Sequence, residues 1–322
     1  MTQRCRSPSM RRSPSHPIGV RVSPPPRPMP DRDPVESEMA TIALVVHQDR
    51  PEALEVALET IEWLESLDHT VVLPALEALR VGRSDLGVGD DELGRHASVA
   101  VSLGGDGTML RTVAMVAGHD VPVIGVNFGQ LGYLTDVEPD GVRRALEAFL
   151  GGQYTLEERM LLEVEIHRSE GGATTVLALN EAVVEKTASG NTVRLDVELD
   201  GTFFTPYAAD GLIVATPTGS TAYAFSARGP IVEPTHRALL LTPVSPHMLF
   251  DRTLVLDDDS RVRLTVTDHR PAALVIDGRP MGDLLPGDHV TCRAATTVAH
   301  LVMFGPRDFH AILKAKFGLA DR

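Results

Sequence analysis

A short glycine-rich motif holds the residues of this chain that most clearly suggest chemistry. The apolar run Val99–Leu103 ends at five residues that place one carboxylate among glycines: Gly104, Gly105, Asp106, Gly107 and Thr108. In parallel α/β sheets, ligands bind beyond the carboxyl ends of the strands. Glycines let the backbone approach a ligand, and the helix that follows offers free N–H groups. This motif is therefore expected to bind phosphate.

The carboxylate of Asp106 has two possible chemical roles at this position. It can accept a proton from a hydroxyl group, or it can hold a metal ion that is itself bound to phosphates. The motif is neither the P-loop pattern GxxxxGK[ST] nor the dinucleotide pattern GxGxxG. Two plainer interpretations stay open for the motif alone: a structural turn, or an Asp106 side chain that caps the helix.

A second polar motif follows an apolar strand later in the chain. Residues 210–223 read DGLIVATPTGSTAY, in which the predicted strand Leu212–Ala215 leads into a loop of small and hydroxyl-bearing residues. Small side chains let a flat ring lie against the backbone, and Tyr223 can supply an aromatic face or a hydroxyl. A polar loop without a binding role is the alternative. Asp210 before the strand and the loop after it favour a binding site.

The dipeptide Asn180-Glu181 is a third candidate and follows the apolar run Val176–Leu179. The amide of Asn180 can donate to and accept from an adenine edge or a ribose, and Glu181 can accept from ribose hydroxyls. A dipeptide carries little information. Taken by itself, this pair is better explained by an ordinary structural role.

Composition argues against several classes of function. The 322 residues carry a formal net charge of −14, whereas surfaces that bind nucleic acid are usually basic, so no nucleic-acid partner is expected. No apolar run reaches the roughly 18 residues of a membrane-spanning helix, so no membrane partner is expected. The two cysteines and twelve histidines form no metal spacing, and no metal-ligand residues are predicted. Few cysteines suit a reducing cytoplasm.

Residues 1–38 differ in composition from the rest of the chain. They hold nine prolines and seven arginines and lack a periodic apolar pattern, which predicts a disordered N-terminal extension. A targeting peptide is one alternative, because the first 30 residues lack Asp and Glu, but the prolines would break an amphipathic helix. A start codon assigned too early is another, because Met39 directly precedes a natural first strand.

From Met39 onwards, two kinds of periodicity divide the chain. Apolar runs such as Ile42–Val46 and Val121–Val126 alternate with helical spacing, as in Thr108–Ala117, and residues 82–94 are expected to form a loop. This order predicts a parallel sheet covered on both faces. After about residue 150, apolar and polar residues alternate along Val193–Leu199 and similar runs separated by Asp-Gly turns, which predicts an antiparallel β domain.

Taken together, the motifs resemble the NAD kinase family from about Met39 to the C-terminus, in the same order. The matching segments are GGDGT at 104–108, GVNFGQLGYLTD at 125–136, the NE pair at 180–181, DGLIVATPTGSTAY at 210–223, SARGPIV at 226–232, SPHML at 245–249 and DGR at 277–279. GGDGT alone is shared with diacylglycerol-type lipid kinases and, more loosely, with phosphofructokinases. The segment TPTGSTAY is far more specific, and it favours the NAD kinase family over these other kinases.

The resemblance implies a fold of the class α/β plus all-β. It places an N-terminal Rossmann-like domain with a parallel sheet at 39–140 and a β-sandwich-like, NAD-binding domain at 141–305. A C-terminal segment at 306–322 would return to the first domain. The resemblance also implies homodimers or homotetramers whose sites include residues from two subunits.

The resemblance implies a reaction as well. The γ-phosphoryl group of ATP, or of inorganic polyphosphate, moves to the 2′-hydroxyl of the adenosine ribose of NAD, with a divalent metal ion such as Mg²⁺ on the donor phosphates. Asp106 is then the base that acts on this hydroxyl. The implied ligand-binding residues are Gly104, Gly105, Gly107, Thr108, Arg111, Asn127, Asn180, Glu181, Asp210, Thr218, Ser220, Thr221, Ala222, Tyr223 and Ser226.

The individual roles follow from the matched motifs. Asn180 and Glu181 would contact the adenosine half of NAD, and residues 221–226 would line the adenine and ribose site. Asp210 would lie near the nicotinamide or a neighbouring subunit. Arg111 would face phosphate, with an ordinary surface role as the alternative.

Two segments depart from the family pattern. Arg228 stands where the family usually has the first glycine of a SAGGP turn, and arginine at a positive φ costs on the order of 1 kcal/mol. Our hypothesis is that Arg228 adds a phosphate contact or affects the choice of donor; the alternative is a tolerated surface change. Ala208-Ala209 lack the polar side chain that many relatives carry there. Two rival functions remain: a GGDGT-type lipid kinase and a non-catalytic NAD(P)-binding regulator.

Overall fold

The computed structural model describes residues 39–129 and 132–319. The predicted disorder of residues 1–38 lies outside the described residues. Within the two described ranges, no helix is long and apolar enough to cross a membrane.

The first part of the chain alternates strands with helices. Its elements are β1 (Thr41–Val46), α1 (Pro51–Glu65), β2 (Thr70–Pro74), α2 (Ala75–Arg80), β3 (Gly87–Val88), α3 (Leu93–His96), β4 (Val99–Gly104), α4 (Asp106–Val116), β5 (Val123–Asn127) and α5 (Val142–Leu150). The strands pair in parallel in the order β3-β2-β1-β4-β5. Every residue of β4 is buried, as expected for a strand with helices on both faces.

Two details of this part differ from the sequence-based prediction. Helix α4 begins two residues before the predicted Thr108, because Gly105 is extended (φ −121°, ψ −164°) and the helix starts directly after it. Residues 82–94 are more ordered than the predicted loop, since they include a 3₁₀ turn, β3 and the start of α3. Leu93 is fully buried there, and this packing orders the segment.

The second part of the chain is mostly β structure. Its elements are β6 (Thr155–Arg168), β7 (Gly172–Ala178), β8 (Glu181–Lys186), β9 (Val193–Leu199), β10 (Thr202–Ala209), β11 (Gly211–Ala215), a 3₁₀ turn at Thr218–Thr221, α6 (Tyr223–Ser226), β12 (Leu239–Val244), β13 (Leu254–Leu256), β14 (Val262–Val266), β15 (Ala272–Ile276), β16 (Arg279–Leu284), β17 (His289–Met303) and α7 (Phe309–Phe317).

Strand β17 belongs to both parts of the molecule. Near its end it pairs in parallel with β5, with Leu301 opposite Val123. Along its length it pairs antiparallel with β6, and its first half also pairs with β14. The parallel sheet therefore continues into the β-rich part as one eleven-stranded sheet.

A second, six-stranded sheet completes a sandwich. Its antiparallel order is β13-β12-β11-β8-β15-β16. Its inward side chains, such as Leu212 and Leu241, share one core with Leu264 and Val290 of the larger sheet. The predicted fold class, α/β plus all-β with a β-sandwich-like second unit, is confirmed.

The packing of α5 bears on where the first unit ends. Although the sequence places residues after 140 in the second domain, Val142, Ala145 and Leu146 of α5 are buried in the core of the parallel sheet. By packing, the first unit therefore extends to about the end of α5.

Candidate active site

Asp106 lies at the carboxyl edge of the parallel sheet, as the first residue of α4. Its carboxylate does not cap this helix. Oδ2 accepts a hydrogen bond from the backbone N–H of Tyr133 (3.0 Å), and Oδ1 accepts one from that of Leu134 (3.1 Å). A Cβ added at Gly132 would overlap Asp106 Oδ1, so only glycine fits this approach. The loop after β5 thus fixes the carboxylate from outside the helix.

The glycines of the motif have two different functions. A Cβ at Gly104 would overlap the hydroxyl of Thr108, so Gly104 allows the strand and the helix to pack closely. A Cβ at Gly105 or Gly107 would meet open space. These two glycines therefore leave the backbone accessible at the start of an eleven-residue helix, where the N–H groups and the helix dipole favour anions.

A cavity of about 280 Å³ opens beside these glycines. It lies between the carboxyl ends of β1 and β4, and its lining residues are His47, Gln48, Asp49, Arg50, Gly105, Gly107, Thr108 and Arg111. Its position beyond the strand ends matches the usual ligand position in such sheets. The cavity combines backbone N–H groups with two guanidinium groups, which suits phosphate.

The guanidinium of Arg111 is already held by the protein. Nη1 donates to Oε1 of Glu77 at 2.6 Å, and Nη2 donates to the carbonyl of Val46 at 2.9 Å. Glu77 is only 2% exposed, and its burial raises the pKa of its carboxyl, while the charge of Arg111 opposes this rise. Arg111 therefore neutralises a buried acid while lining the cavity, and its contact with phosphate stays a prediction.

Asn127, the last residue of β5, shapes the turn that follows. Its side-chain oxygen accepts from the N–H of Gly129 at 3.2 Å, and its side-chain amide donates to the carbonyl of the same residue at 3.3 Å. The side chain is buried. Asn127 thus starts the loop that later reaches Asp106.

The Asn180-Glu181 pair and the loop after β11 lie in direct contact. Thr216 donates its backbone N–H to the carbonyl of Asn180 (2.8 Å) and its hydroxyl to that of Leu179 (2.6 Å). A Cβ at Gly219 would overlap the carbonyl of Asn180. Two motifs separated by about thirty residues therefore form one surface.

This surface is joined to the Asp106 motif through buried apolar packing. Leu179 shares one core cluster with Met109 of α4 and with Leu134, whose N–H binds Asp106. The strand that leads into Asn180 thus packs against the helix that begins at Asp106. All three motifs predicted from the sequence converge on this region.

Thr218 and Ser220, predicted as ligand-binding, have their hydroxyls bound within the protein. The hydroxyl of Ser220 accepts from the N–H of Val232 (3.0 Å) and donates to its carbonyl (3.2 Å). The hydroxyl of Thr218 accepts from Arg159, a buried residue of β6 that is also paired with Glu157. Both side chains therefore shape the loop from inside, and any ligand contact they make stays a prediction.

Thr221, Ala222, Tyr223 and Ser226 follow at the outer side of the loop. Thr221 donates its hydroxyl to the carbonyl of Thr218 at 3.3 Å. Tyr223, at the start of α6, is 37% exposed. Its pKa is raised by burial first and then by the charges of Glu185 and Asp210, so its phenol lies near both carboxylates.

Asp210 lies one residue before β11 and is held by an ion pair. Its Oδ1 accepts from Nζ of Lys186 at 2.6 Å. Asp210 and Tyr223 therefore lie at one end of the surface.

Comparison with known proteins assigns the chain to a family. Residues 42–154 match the family model of the ATP-NAD kinase N-terminal domain, and residues 179–304 match that of the ATP-NAD kinase C-terminal domain. A protein named NAD kinase from Heliobacterium modesticaldum is 42% identical over 279 residues, which are 86% of this chain and 98% of that protein. This chain belongs to the NAD kinase family.

Further relatives support the same family and fold. The NAD kinase of Ralstonia nicotianae is 38% identical over 289 residues, 89% of this chain and 96% of that protein. Among solved structures, yeast NADH kinase complexed with NADH is similar with a TM-score of 0.81 and 25% identity, over 89% of this chain and 90% of that chain. The resemblance to NAD kinases inferred from the motifs is confirmed.

The sequence did not indicate several residues that build this candidate site. Tyr133 contacts Asp106 through its N–H, its carbonyl accepts from Arg307, and its ring lies 4.3 Å below Nζ of Lys316. Phe317 packs on Phe225 with ring centroids 5.2 Å apart. Helix α7 therefore covers the loop that fixes Asp106. The sequence offered two signals, the helical spacing of 309–317 and the family resemblance that returns 306–322 to the first domain, and neither identified these individual contacts.

Proposed function

We infer that the protein is an NAD kinase that transfers the γ-phosphoryl group of ATP to the 2′-hydroxyl of the adenosine ribose of NAD, giving NADP and ADP. The observation that supports this most strongly is the convergence of the Asp106 motif, the Asn180-Glu181 pair and the loop after β11 on one region. The matched family models, both described as ATP-NAD kinase domains, support ATP as the donor.

The mechanism relies on positioning more than on covalent chemistry, as is usual for phosphoryl transfer. The cavity beside Gly105 and Gly107 holds the donor phosphates against the N-terminus of α4. The ribose lies between this cavity and Glu181, so that its 2′-oxygen attacks the γ-phosphorus. The new O–P bond forms as the bond from phosphorus to the leaving ADP oxygen breaks.

Asp106 accepts the proton of the 2′-hydroxyl. Each of its oxygens uses one lone pair for a backbone N–H, and each keeps a second acceptor site for the substrate. The two backbone bonds fix the carboxylate in orientation, so it needs little reorganisation in the reaction.

A divalent cation such as Mg²⁺ would neutralise charge on the donor phosphates. No group of three or more His, Cys, Asp or Glu side chains suited to a metal occurs within residues 39–129 and 132–319. Mg²⁺ commonly binds through substrate phosphates and water with only one or two carboxylates. The site fits a cation that arrives on the nucleotide. Asp49, which lines the cavity, and Asp106, which lies between its two lining glycines, are the carboxylates that would help to hold it.

We further propose that the protein acts in the cytoplasm as a homodimer or homotetramer. The family resemblance supports this assembly. The outer position of Asp210 and Tyr223 also suits a contact with a neighbouring subunit.

An assay of the purified protein tests the proposed reaction. The protein is incubated with NAD, Mg²⁺ and either ATP or polyphosphate, and NADP is read with an NADP-specific dehydrogenase. NADP formation with ATP is expected. A folded protein that binds NAD but forms no NADP with either donor would favour the non-catalytic regulator instead.

A further inference from the structure

Asp277 is a buried carboxylate that the proposed mechanism does not use. It lies with Gly278 in the two-residue turn between β15 and β16, and both residues have positive φ (47° and 74°). Such a hairpin turn strongly favours Asp-Gly or Asn-Gly. The turn alone does not require burial, yet Asp277 is only 8% exposed.

The carboxylate of Asp277 holds the backbone of three consecutive residues. Oδ2 accepts from the N–H of Leu179 at 2.7 Å, and Oδ1 accepts from the N–H groups of Asn180 (2.9 Å) and Glu181 (3.0 Å). In return, the N–H of Asp277 donates to the carbonyl of Glu181 at 3.0 Å. One side chain therefore fixes the backbone from which both candidate NAD ligands project.

This arrangement requires a carboxylate rather than an amide. Both oxygens of Asp277 accept from N–H groups. The side chain of asparagine has one acceptor oxygen and one donor nitrogen, so its nitrogen would face an N–H group. Asparagine would thus suit the turn while disrupting the contact with the strand.

Glu181 is the second buried carboxyl of this pair. It is 7% exposed, and its Oε2 has no hydrogen-bond partner among the described residues. Burial and then the charge of Asp277 raise the pKa of Glu181 to about 8, while the backbone N–H of Tyr223 opposes the rise. Burial raises the pKa of Asp277 too, but its three N–H donors and Arg279 oppose this. Both oxygens of Asp277 already accept from N–H groups, whereas Oε2 of Glu181 has no partner among the described residues, so the proton of this pair is placed on Glu181.

We propose that Asp277 is a positioning residue that aligns Asn180 and Glu181 on the ribose of NAD and keeps Glu181 in its protonated, hydrogen-bond-donating form. This inference rests on the proposed function. Glu181 then donates its O–H to a ribose oxygen, and the proton stays on Glu181 throughout the reaction. A deprotonated Glu181 would place two buried negative charges side by side.

The first test compares Asp277→Asn with the wild type in NADP formation. The KM for NAD is expected to rise about tenfold while the KM for ATP changes less than about twofold, because a misaligned hydrogen-bonding pair affects only one substrate. The kcat/KM for NAD should fall in the wild type as pH rises through about 8. In Asp277→Asn this fall should move to lower pH, because the charge that raises the pKa of Glu181 is gone.

Asp288→Asn is the matched structural control. Asp288 is also buried, at the turn between β16 and β17, and its carboxylate accepts from Ser169 N–H (2.8 Å), Ser169 hydroxyl (2.7 Å) and Leu285 N–H (2.9 Å). Replacing this carboxylate should lower the stability of the protein about as much as Asp277→Asn does. The KM for NAD and the pH profile should stay as in the wild type.

Glu181→Gln gives a test that does not depend on the folding of Asp277→Asn. Its amide still donates a hydrogen bond but does not titrate, so the fall of kcat/KM above about pH 8 should disappear. Two results would overturn the inference while leaving the proposed function intact. One is that kcat/KM for NAD still falls above about pH 8 in Glu181→Gln. The other is that folded Asp277→Asn has the KM for NAD and the pH profile of the wild type. A wild type that forms no NADP would overturn the proposed function itself.

Discussion

The carboxylate of Asp106 and the backbone N–H of Leu134 lie 3.1 Å apart, although the two residues are 28 positions apart in the chain. This bond joins the start of α4 to the loop that follows the neighbouring strand β5. Leu134 of this loop and Leu179, which precedes the Asn180-Glu181 pair, belong to one buried apolar cluster. The proposed base and the proposed NAD ligands are therefore positioned by one continuous buried connection.

The substitution Gly107→Ala tests whether Gly107 is needed for the structure or for the approach of a ligand to its backbone. The new Cβ meets open space and lies within helix α4, so stability should rise by about 0.5–1 kcal/mol from helix propensity. If a ligand lies against this backbone, NADP formation should nevertheless fall at least about tenfold. Urea unfolding and steady-state kinetics measure the two effects.

Gly104→Ala is the matched control for this glycine. Its Cβ would overlap the hydroxyl of Thr108, so it should destabilise the protein by about 1–3 kcal/mol. Gly107→Ala with both higher stability and normal kinetics would mean that no ligand approaches this residue closely.

Arg111→Met should strongly destabilise the protein, because it leaves the carboxyl of Glu77 buried and unpaired. Removing one partner of such a pair costs about 3 kcal/mol. Arg237→Met is the matched control, since Arg237 pairs with Asp258 near the surface and should cost less than about 1 kcal/mol. Urea unfolding of both variants measures the difference.

The loss of stability in Arg111→Met should also depend on pH. Burial already raises the pKa of Glu77, and removing Arg111 raises it further. A carboxyl with a raised pKa in the folded state stabilises the fold at low pH, and this stability is lost as pH rises through the folded pKa. The loss should therefore be larger at pH 8 than at pH 5. An equal loss at both pH values would contradict the pairing with Glu77.

The sequence predicted those parts of the site that depend on local pattern. Strand β4, the GGDGT turn and helix α4 follow one another in the chain, and so do β11 and the loop after it. Asp277 contacts residues 179–181, from which it is separated by 96 to 98 positions in the chain. Arg159 contacts Thr218, which lies 59 positions further along. Such contacts depend on which strands become neighbours, and local periodicity does not determine this.

Arg228→Gly tests the departure from the family pattern. Arg228 adopts φ 67° two residues after the end of α6, and it is exposed. If it contacts donor phosphate, the glycine variant should raise the KM for ATP or polyphosphate about two- to fivefold, as expected for an exposed ionic contact. The KM for NAD should not change.

Asp68→Gly is the matched control for backbone strain. Asp68 is exposed, has φ 62° and lies in the turn between α1 and β2. Both glycine variants should change stability by less than about 1 kcal/mol. Unchanged kinetics of Arg228→Gly with both donors would rule out the phosphate contact.

The most direct test of the account is the single-turnover rate of NADP formation by Asp106→Asn at saturating NAD, ATP and Mg²⁺, with NAD binding measured on the same sample. The variant keeps the shape of the side chain but loses the base. The account predicts that NAD still binds and that the rate falls by roughly 10²–10⁴. A rate within tenfold of the wild type, with NAD bound, would contradict the role of Asp106 as the base.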